Sequence, residues 1–290
     1  MSLGWFPLVL IYIATNSVSK TVQKLSLKNE EVDSTAFCAL FMFTVSVISI
    51  PFLFFEEVVF SVDIRAWTAV LSSALLYSAC MVLFFHAMKL IEISQVETVA
   101  TTRSIWAMFL GTIFFQEALS LSKFIGVILI FFGLAVIYWE KGKFNSFKKP
   151  HLYTLAYAFL ISCAYALDKY ALYFFSVVMY QVIIYSIPAV LIVIFQPGTL
   201  AKIKPLLKAQ KSTYLILLCS CFQMTSTLAL YRAYQTGGEY SVVGPLTQLT
   251  TILNILIGIT ILKERWHLKQ KILGISLAVL GVVFIKVLYF

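Results

Sequence analysis

The sequence predicts an all-α polytopic membrane protein, with ten transmembrane helices arranged as two inverted five-helix repeats. Composition is the first observation behind this fold class, and an internal repeat is the second. Of the 290 residues, 61% are hydrophobic and only 12% are charged, whereas a soluble domain carries roughly 45–50% apolar and about 25% charged residues. A spanning helix needs about 20 apolar residues. The chain therefore has room for about ten spans and short loops, and none for a soluble catalytic or nucleic-acid-binding domain.

Charged clusters and Pro or Gly residues separate the apolar runs and fix the predicted elements. The first run has no basic residue before it and no cleavage site after it, so we interpret it as a retained span. Short connectors are expected at Lys141–Pro150 and Pro197–Lys211. The predicted helices of the first half are 3–24, 34–55, 65–89, 93–115 and 121–140, and those of the second half are 151–170, 173–195, 211–235, 240–262 and 268–289.

An ordered series of matched residues divides the chain into repeats at 1–149 and 150–290. The offset within the pairs drifts from 137 to 148 only where loops differ in length, and such an ordered series indicates an internal repeat. The matched positions are Ser49-Ile50-Pro51 with Ser186-Ile187-Pro188, His86 with Arg232, Ser94 with Ser241, Glu117 with Glu264, Gly126 with Gly274, and Gly133 with Gly281.

An odd number of helices in each repeat has a geometric consequence. Five spans return the chain to the opposite face of the membrane, so the second half inserts upside down relative to the first. Inverted repeats are typical of secondary transporters, whose substrate site lies near the midplane between the halves. A duplication retained only for fold stability is the alternative interpretation.

The last helix of each half carries a motif, in which a glutamate precedes a helix with two glycines seven residues apart. On these residues the chain resembles the EamA-type family of the drug/metabolite transporter superfamily over essentially its whole length. That family usually has glycine before the glutamate, whereas this chain has Gln116 and Lys263. The motif segments are Phe114-Phe115-Gln116-Glu117 followed by Phe124-Ile125-Gly126, and Leu262-Lys263-Glu264 followed by Ile272-Leu273-Gly274.

The resemblance implies movement of small metabolites, including amino acids, through a cavity formed mainly by the first, third, fourth, sixth, eighth and ninth helices. We therefore expect a secondary active transporter, working as an exporter by alternating access. Its expected substrate is a small polar metabolite of amino acid-like character. A flippase for a lipid-linked substrate, also represented in the superfamily, is the alternative function. A non-transporting receptor or scaffold is a third reading, and no ligand-presenting domain supports it.

Enzyme signatures are missing from the sequence. It has no Gly-x-Ser-x-Gly elbow, no His-Glu-x-x-His and no phosphate-binding glycine loop, and its three histidines are dispersed. We expect no enzyme activity and no cofactor, so that transport draws on a proton gradient, another ion gradient or exchange. The expected partners are a small-molecule substrate and the lipid bilayer, without nucleic acid, and the chain is expected as a monomer or homodimer.

Basic residues predict the orientation of this multi-pass protein in the cell membrane (inner or plasma membrane). Of the 22 Lys and Arg, sixteen fall in or near loops that follow odd-numbered helices, including Lys20, and four fall on the other side. Because loops rich in basic residues stay in the cytoplasm, this count places both termini outside. The resemblance implies termini in the cytoplasm instead, and we follow the charge count.

Two ionisable residues of the predicted fourth helix are candidate site residues, because charges within a span are costly and often functional. Arg103 is expected to face the cavity and bind an anionic group such as a carboxylate or phosphate. A structural ion pair with a carboxylate of another helix is its alternative. Glu97 is a candidate proton-coupling carboxylate or amine binder, and a helix N-terminal position near the interface is the alternative.

Polar stripes on the fourth and ninth helices predict a shared midplane site. Hydroxyls bonded back to their own helix carbonyls explain single residues, but explain two aligned stripes poorly. Pro245 is expected to open the start of the ninth helix near the site. The stripe residues are Thr98, Thr102 and Trp106 in the fourth helix, and Thr247, Gln248, Thr251 and Asn254 in the ninth.

The first and sixth helices carry polar residues at matching positions. Asn16 and Lys20 in the first correspond to Tyr165 and Lys169 in the sixth. We expect Asn16 and the aromatic residues Tyr77 and Tyr165 to line the cavity, with an interfacial tyrosine belt as the alternative for the aromatics. Gln223 is a further candidate lining residue. Asp168 and Lys169 are interpreted as a charge pair at the end of the sixth helix.

Overall fold

The computed structural model describes residues 4–118, 120–138 and 148–260, together with 270, 273–274, 276–277, 280–281 and 284. All regular secondary structure in this part of the chain is helical, which confirms the all-α class. The predicted helix 268–289 lies mostly outside the described residues. Among the described residues, six helical stretches are long and apolar enough to cross a membrane: Ser34–Phe55, Ile64–Leu90, Lys149–Ala171, Val177–Phe195, Gln210–Gln235 and Tyr240–Gly258.

The helices of the first half follow the predicted apolar runs. The Asp33 carboxylate caps the second helix by accepting the amide N–H groups of Thr35 and Ala36 at 3.0 Å, a common way to satisfy the first amides of a helix. That helix continues as a 3₁₀ helix, Ile50–Phe55, because Pro51 has no amide proton to extend the α-helical series. The helices are α1 Trp5–Leu27, α2 Ser34–Ser49, α3 Ile64–Leu90, α4 Ile93–Ala100, α5 Arg103–Phe115 and α6 Leu121–Tyr138.

The second half contains one helix that the sequence did not predict. The stretch Pro197–Lys211 was expected to be a plain connector, but Thr199–Lys208 within it is helical. Its apolar residues Leu200, Ile203 and Leu207 recur at the i, i+3, i+7 spacing of an amphipathic helix. The helices are α7 Lys149–Ala171, α8 Val177–Phe195, α9 Thr199–Lys208, α10 Gln210–Gln235, α11 Tyr240–Leu246 and α12 Leu249–Thr260.

The predicted helix over 93–115 is interrupted between α4 and α5. At the interruption the amides of Thr102 and Ser104 donate to carbonyls three residues back, instead of four. The Thr102 hydroxyl also donates to the Val99 carbonyl at 2.9 Å. Such local side-chain bonds compete with the α-helical pattern, so this segment forms two short helices rather than one continuous span.

The predicted helix over 240–262 is interrupted in the same way between α11 and α12. Pro245 lacks an amide proton, and the amides of Gln248 and Thr251 donate to carbonyls three residues back. This break at residues 247–248 follows the break at 101–102 by 146 residues, within one residue of the offset of 147 between Ser94 and Ser241. Broken helices at corresponding places in two halves are typical of transporter binding sites.

Helices of the first half pack mainly against helices of the second half. The contacts form matched pairs when α7, α8 and α10 are taken as the counterparts of α1, α2 and α3. α1 packs on α10 as α7 packs on α3, and α2 packs on α10 as α8 packs on α3. Likewise α1 contacts α12 as α7 contacts α5, and α2 packs directly on α8. Exchanging the two halves therefore reproduces these contacts, and the two sets of helices interleave around one shared interior.

Candidate functional site

A narrow cavity of about 30 Å³ lies between the two halves. Helices α1, α2, α3 and α5 line it from the first half, and α7, α8 and α10 line it from the second. This volume holds about one water molecule, so a metabolite enters only if the helices move apart. The polar residues of the lining are Tyr12, Asn16, Lys20, Gln23, Tyr77, Arg103, Tyr157, Tyr165, Tyr185 and Gln223.

Arg103 is the most informative residue of the cavity. It is 3% exposed, and its Nε and Nη2 atoms are buried without a hydrogen-bond partner. No carboxylate of a described residue lies within 4 Å of its guanidinium. The Tyr12 hydroxyl and the Asn16 Oδ1 atom are also buried and unsatisfied. Buried polar atoms are normally hydrogen-bonded, so unsatisfied donors and acceptors around one cavity indicate a place for a polar ligand.

A hydrogen-bonded network around Gln223 joins α1 to α8 and α10. The Gln223 Oε1 atom accepts from Asn16 Nδ2 at 3.5 Å and from Ser19 Oγ at 3.3 Å. Its Nε2 atom donates to the Tyr185 hydroxyl and to Thr227 Oγ1, both at 3.1 Å. The network fixes the Asn16 amide, so that its free Oδ1 atom has a defined position at the cavity.

Lys20 closes one end of the cavity through a buried ion pair. Its Nζ atom lies 2.8 Å from Glu97 Oε1 and 3.0 Å from Oε2. One turn further along α1, Lys24 donates to the carbonyls of Met88 at 2.6 Å and Ile91 at 2.7 Å. The sequence count placed both lysines with the loops, but they are buried inside α1. We call this region the Lys20 end.

Lys169 forms an ion pair at the opposite end, where Nζ lies 2.7 Å from Glu117 Oε1. Glu117 also accepts the amides of Tyr240 at 2.7 Å and Ser241 at 2.6 Å, the first residues of α11. Burial alone would raise the pKa of Glu117, but the hydrogen bonds from Lys169 and Ser241 outweigh it and hold the pKa below its ordinary value. A methyl group on Gly111 would lie 2.6 Å from Glu117 Oε2. The absence of a side chain there permits this close approach.

Asp168 lies beside the Lys169 end and is fully buried. Its Oδ1 atom accepts from Ser73 Oγ and the Tyr180 hydroxyl, both at 2.6 Å. Its Oδ2 atom accepts from the Tyr77 hydroxyl at 2.7 Å and the Tyr231 hydroxyl at 2.9 Å. The carboxylate therefore joins α7 to α3, α8 and α10.

The expected charge pair between Asp168 and Lys169 is wrong. Adjacent residues of a helix point about 100° apart, and here the two side chains have different partners. Lys169 binds Glu117, whereas Asp168 binds hydroxyl groups. No Lys, Arg or His among the described residues forms an ion pair with Asp168.

The two ends face opposite sides because α3 and α7 run antiparallel. Tyr77, at the middle of α3, binds Asp168 near the end of α7. Phe84, further along α3, packs on Tyr157 near the start of α7, with ring centroids 4.6 Å apart. Lys20 lies over the same Phe84 ring at 5.6 Å from its centroid. The cavity thus lies between the Lys20 end and the Lys169 end.

The structure brings five of the sequence-predicted site residues together at the cavity. They come from α1, α3, α5, α7 and α10, and therefore from both halves. Glu97 does not belong to the lining but binds Lys20, which does. The five lining residues are Asn16, Tyr77, Arg103, Tyr165 and Gln223.

The predicted stripe of the fourth helix does not form one face, because the helix is interrupted within it. Thr102 lies in the break and binds Val99. Trp106 is 39% exposed and packs its ring on Phe159, 4.8 Å away, outside the cavity lining. Thr98 lies in α4, and its side chain is outside the described residues.

The predicted stripe of the ninth helix is buried behind the cavity rather than in its lining. Thr247 and Gln248 bond back to the Gly244 carbonyl at 2.6 and 3.4 Å, and Thr251 donates to the Glu97 carbonyl at 3.5 Å. Asn254 is fully buried, and both of its side-chain polar atoms are unsatisfied. The hydrogen bonds of Thr247, Gln248 and Thr251 stabilise the break and the packing of α12 on α4.

The sequence did not single out four polar residues of the lining: Tyr12, Gln23, Tyr157 and Tyr185. Tyr12 precedes Asn16 by four residues and so shares its helical face, which is the signal that could have found it. The remaining three are indistinguishable in sequence from other polar or interfacial residues.

The described part of the chain, with apolar helices around a buried polar cavity and two broken helices, has features that are typical of a multi-pass membrane transporter. Residues 4–139 match the model of the EamA-like transporter family. This match over the first half of the chain is consistent with an EamA-type transporter of the drug/metabolite transporter superfamily and bears out the resemblance inferred from the sequence. Members of the family are transporters.

A crystal structure described only as that of a protein aligns with this chain at a TM-score of 0.70 and 14% identity. The alignment covers 98% of this chain and 96% of that one. At this identity the likeness concerns the fold alone. No curated protein matches the chain significantly.

Proposed function

We propose that the protein is a secondary active transporter that exports a small amino acid-like metabolite by alternating access. Ten spans in two inverted halves, 1–149 and 150–290, would provide the two equivalent states that this mechanism needs. The reciprocal helix contacts and the corresponding breaks in the fourth and ninth predicted helices support this arrangement.

The observation that carries the proposed substrate is the unpaired guanidinium of Arg103. Lys20 and Glu97 neutralise each other, so Arg103 leaves the cavity lining with an uncompensated positive charge. A carboxylate accepts two N–H groups of a guanidinium in a bidentate pair. The free Asn16 Oδ1 atom and the Tyr12 hydroxyl then offer acceptors for an ammonium group. A zwitterionic amino acid matches this combination of donor and acceptors.

Alternating access follows from the closure of both ends. Lys20–Glu97 closes one end, and Lys169–Glu117 closes the other. Entry of a metabolite from either side requires one pair to separate while the other holds. Energy for net export comes from an ion gradient or from exchange, without a cofactor.

The remaining expectations complete the proposal. With Lys20 and Lys24 removed from the loop count, the basic residues still divide fourteen to four, and this bias favours termini outside the cell. A reporter that is active only in the periplasm or outside the cell, fused to the C-terminus, tests that orientation. We propose a monomer or homodimer, with the bilayer as its other partner.

Ligand binding tests the proposed site. The purified protein is screened by thermal shift against the amino acids, each paired with the amine that lacks its carboxylate. Binding to the folded state raises the melting temperature, and we expect a rise with at least one amino acid but not with its amine. Arg103→Gln is expected to weaken that binding at least about tenfold, since a charge-assisted hydrogen bond is lost.

Arg65→Gln is the matched control, because Arg65 is exposed at the start of α3 and is expected to leave binding unchanged. Equal binding by the wild type and Arg103→Gln would contradict the proposed site. Stabilisation by the amines as strongly as by the amino acids would exclude carboxylate recognition.

A flippase is the second candidate, favoured by an apolar groove of about 480 Å³ between α5 and α7. Leu110, Phe114 and Leu167 are among its lining residues, and a lipid tail could lie there with its head group toward the cavity. Translocation of a fluorescent short-chain lipid in proteoliposomes, with no amino acid stabilising the protein, would favour this function over amino acid export.

A further inference from the structure

We propose that Asp168 is the proton-binding carboxylate that couples transport to a proton gradient. This inference rests on the proposed transport function and names its coupling ion. Asp168 has no exposed surface, and it lies outside the substrate cavity but shares Tyr77 with it. It was not among the residues that the sequence indicated for coupling, where Glu97 was the candidate.

The hydrogen bonds of Asp168 identify the form that this conformation holds. An ionised carboxylate has about four acceptor sites and no donor. Here four hydroxyl groups, one from a serine and three from tyrosines, occupy two sites on each oxygen. These four hydrogen bonds fill the acceptor sites of the deprotonated carboxylate. They stabilise its negative charge in the place where a cation would otherwise do so.

Protonation changes this arrangement without any other chemistry. A proton from water adds to one Asp168 oxygen, so that oxygen becomes a donor. A hydroxyl that donated to this oxygen must then accept from it or move away. At least one of the four bonds is therefore lost or reversed, and the carboxylate no longer draws its four partners inward with a negative charge.

The bonds at stake join the two halves of the molecule. Ser73 and Tyr77 lie on α3 in the first half, whereas Asp168, Tyr180 and Tyr231 lie on α7, α8 and α10 in the second. Ionised Asp168 thus holds the halves together beside the Lys169 end, and its protonation loosens that contact. Tyr77 also lines the cavity, so the same event frees a hydroxyl for the substrate.

The other ionisable groups around Asp168 already have partners or are neutral hydroxyl or thiol groups. Tyr185 on α8 binds Thr227. Lys169 on α7 binds Glu117. At the outer edge, Arg232 on α10 binds Glu56. The remaining nearby groups are Cys80 on α3, Tyr234 on α10 and Tyr240 on α11.

Infrared difference spectroscopy of the purified protein tests the proposal without any substrate. Acidification of the wild type is expected to produce the C=O band of a protonated carboxylic acid that is absent from Asp168→Asn. Asp33→Asn is the matched control, since it makes the same chemical change at the surface cap of α2, and it is expected to keep the band. Persistence of the full band in Asp168→Asn would overturn the proposal.

Tyr180→Phe keeps the carboxylate but removes one hydroxyl donor to its ionised form. The midpoint of the Asp168 band is expected to move to higher pH by about one unit, because that hydrogen bond favours the charged state. An unchanged midpoint would overturn the role given to the hydroxyl groups.

Hydrogen–deuterium exchange follows the conformational part of the proposal. Acidification of the wild type should increase exchange in the middle of α3, around Ser73 and Tyr77, and Asp168→Asn should show that higher exchange at every pH. Exchange in α3 that does not change with pH would overturn the switch. Because these measurements use no substrate, they remain decisive even if amino acid binding fails.

Discussion

The two ends of the cavity use the same chemistry with different connectivity. At the Lys20 end, both partners of the ion pair, Lys20 and Glu97, belong to the first half. At the Lys169 end, Lys169 comes from the second half and Glu117 from the first, and Glu117 also binds the first amides of α11. The ammonium of Lys169 lies 4.6 Å from the centroid of the Phe115 ring, which adds a further contact between the halves.

The Lys20–Glu97 ion pair therefore stabilises the first half alone, whereas the Lys169–Glu117 ion pair joins the two halves. Movement of the halves past each other must separate Lys169 from Glu117, whereas opening of the Lys20 end requires α1 to move away from α4 within the first half. Among the described residues, the Lys169 end therefore holds this conformation closed. Glu264, the repeat partner of Glu117, lies outside the described residues.

The largest effect is expected from Glu117→Gln, which leaves the Lys169 ammonium buried without its carboxylate. Breaking a buried pair in this way costs about 3–5 kcal/mol, so amide exchange in α11 should rise on the order of 100-fold or more. Hydrogen–deuterium exchange of residues 240–246 measures it. Unchanged exchange there would show that Glu117 does not hold α11 closed.

Glu117 also makes the stability of the contact with α11 depend on pH. The pKa of Glu117 is held below its ordinary value, so its contribution to stability is complete above the ordinary value of about 4.3 and is lost as the pH falls through the folded-state pKa. Hydrogen–deuterium exchange in α11 should therefore rise as the pH falls. The rise should be larger in the wild type than in Glu117→Gln, which has no carboxylate at this position.

The helical part of the fold was predictable because long apolar runs and charged boundaries leave few alternatives. The interruptions were not, since Thr101 and Thr102 have no sequence signal stronger than that of other threonines within spans. Pro245 did indicate an opening near the start of the ninth helix, and the structure has its break two residues later. α9 was missed because a short amphipathic segment between apolar runs resembles a loop.

A smaller and more local effect is expected from Glu97→Gln, which breaks the ion pair within the first half. The melting temperature should fall, because Lys20 is left buried and unpaired. Exchange in α11 should stay at the wild-type level, in contrast to Glu117→Gln. Replacing both Lys20 and Glu97 with Met should recover most of the lost stability, since an apolar pair removes the unpaired charge. Failure of the double variant to recover would contradict a simple ion pair.

The smallest effect is a gain in stability from Gln116→Gly. Gln116 ends α5 with a φ of 53°, a left-handed conformation that costs a residue with a Cβ atom roughly 1–2 kcal/mol. Glycine adopts it freely but loses more backbone entropy on folding, about 0.5–1 kcal/mol, so the net gain is expected at about 1 kcal/mol or less. The melting temperature checks it, with Gln116→Ala as the control that keeps the strain.

Site residues were predictable where their residue type is unusual within a span. They were not predictable where the path of the helices decides which side chains reach the cavity. Arg103 stood out because a charge in a span is costly, and it lines the cavity. Lys20 was counted with the loops because a lysine near a helix end normally extends toward the interface, yet the carboxylate of Glu97 retains it inside. Trp106 was assigned to the cavity by helical spacing, which the break after Ala100 invalidates.

The most direct test of the central claim, that one cavity is reached in turn from both sides, is the accessibility of Asn16. Asn16→Cys is made after the five native cysteines are replaced with alanine, and membrane-impermeant thiol reagents are applied to vesicles of each orientation. The account predicts labelling from both sides, with Glu117→Gln increasing the rate from the side of the Lys169 end. Labelling from one side only, in both the parent and Glu117→Gln, would contradict alternating access.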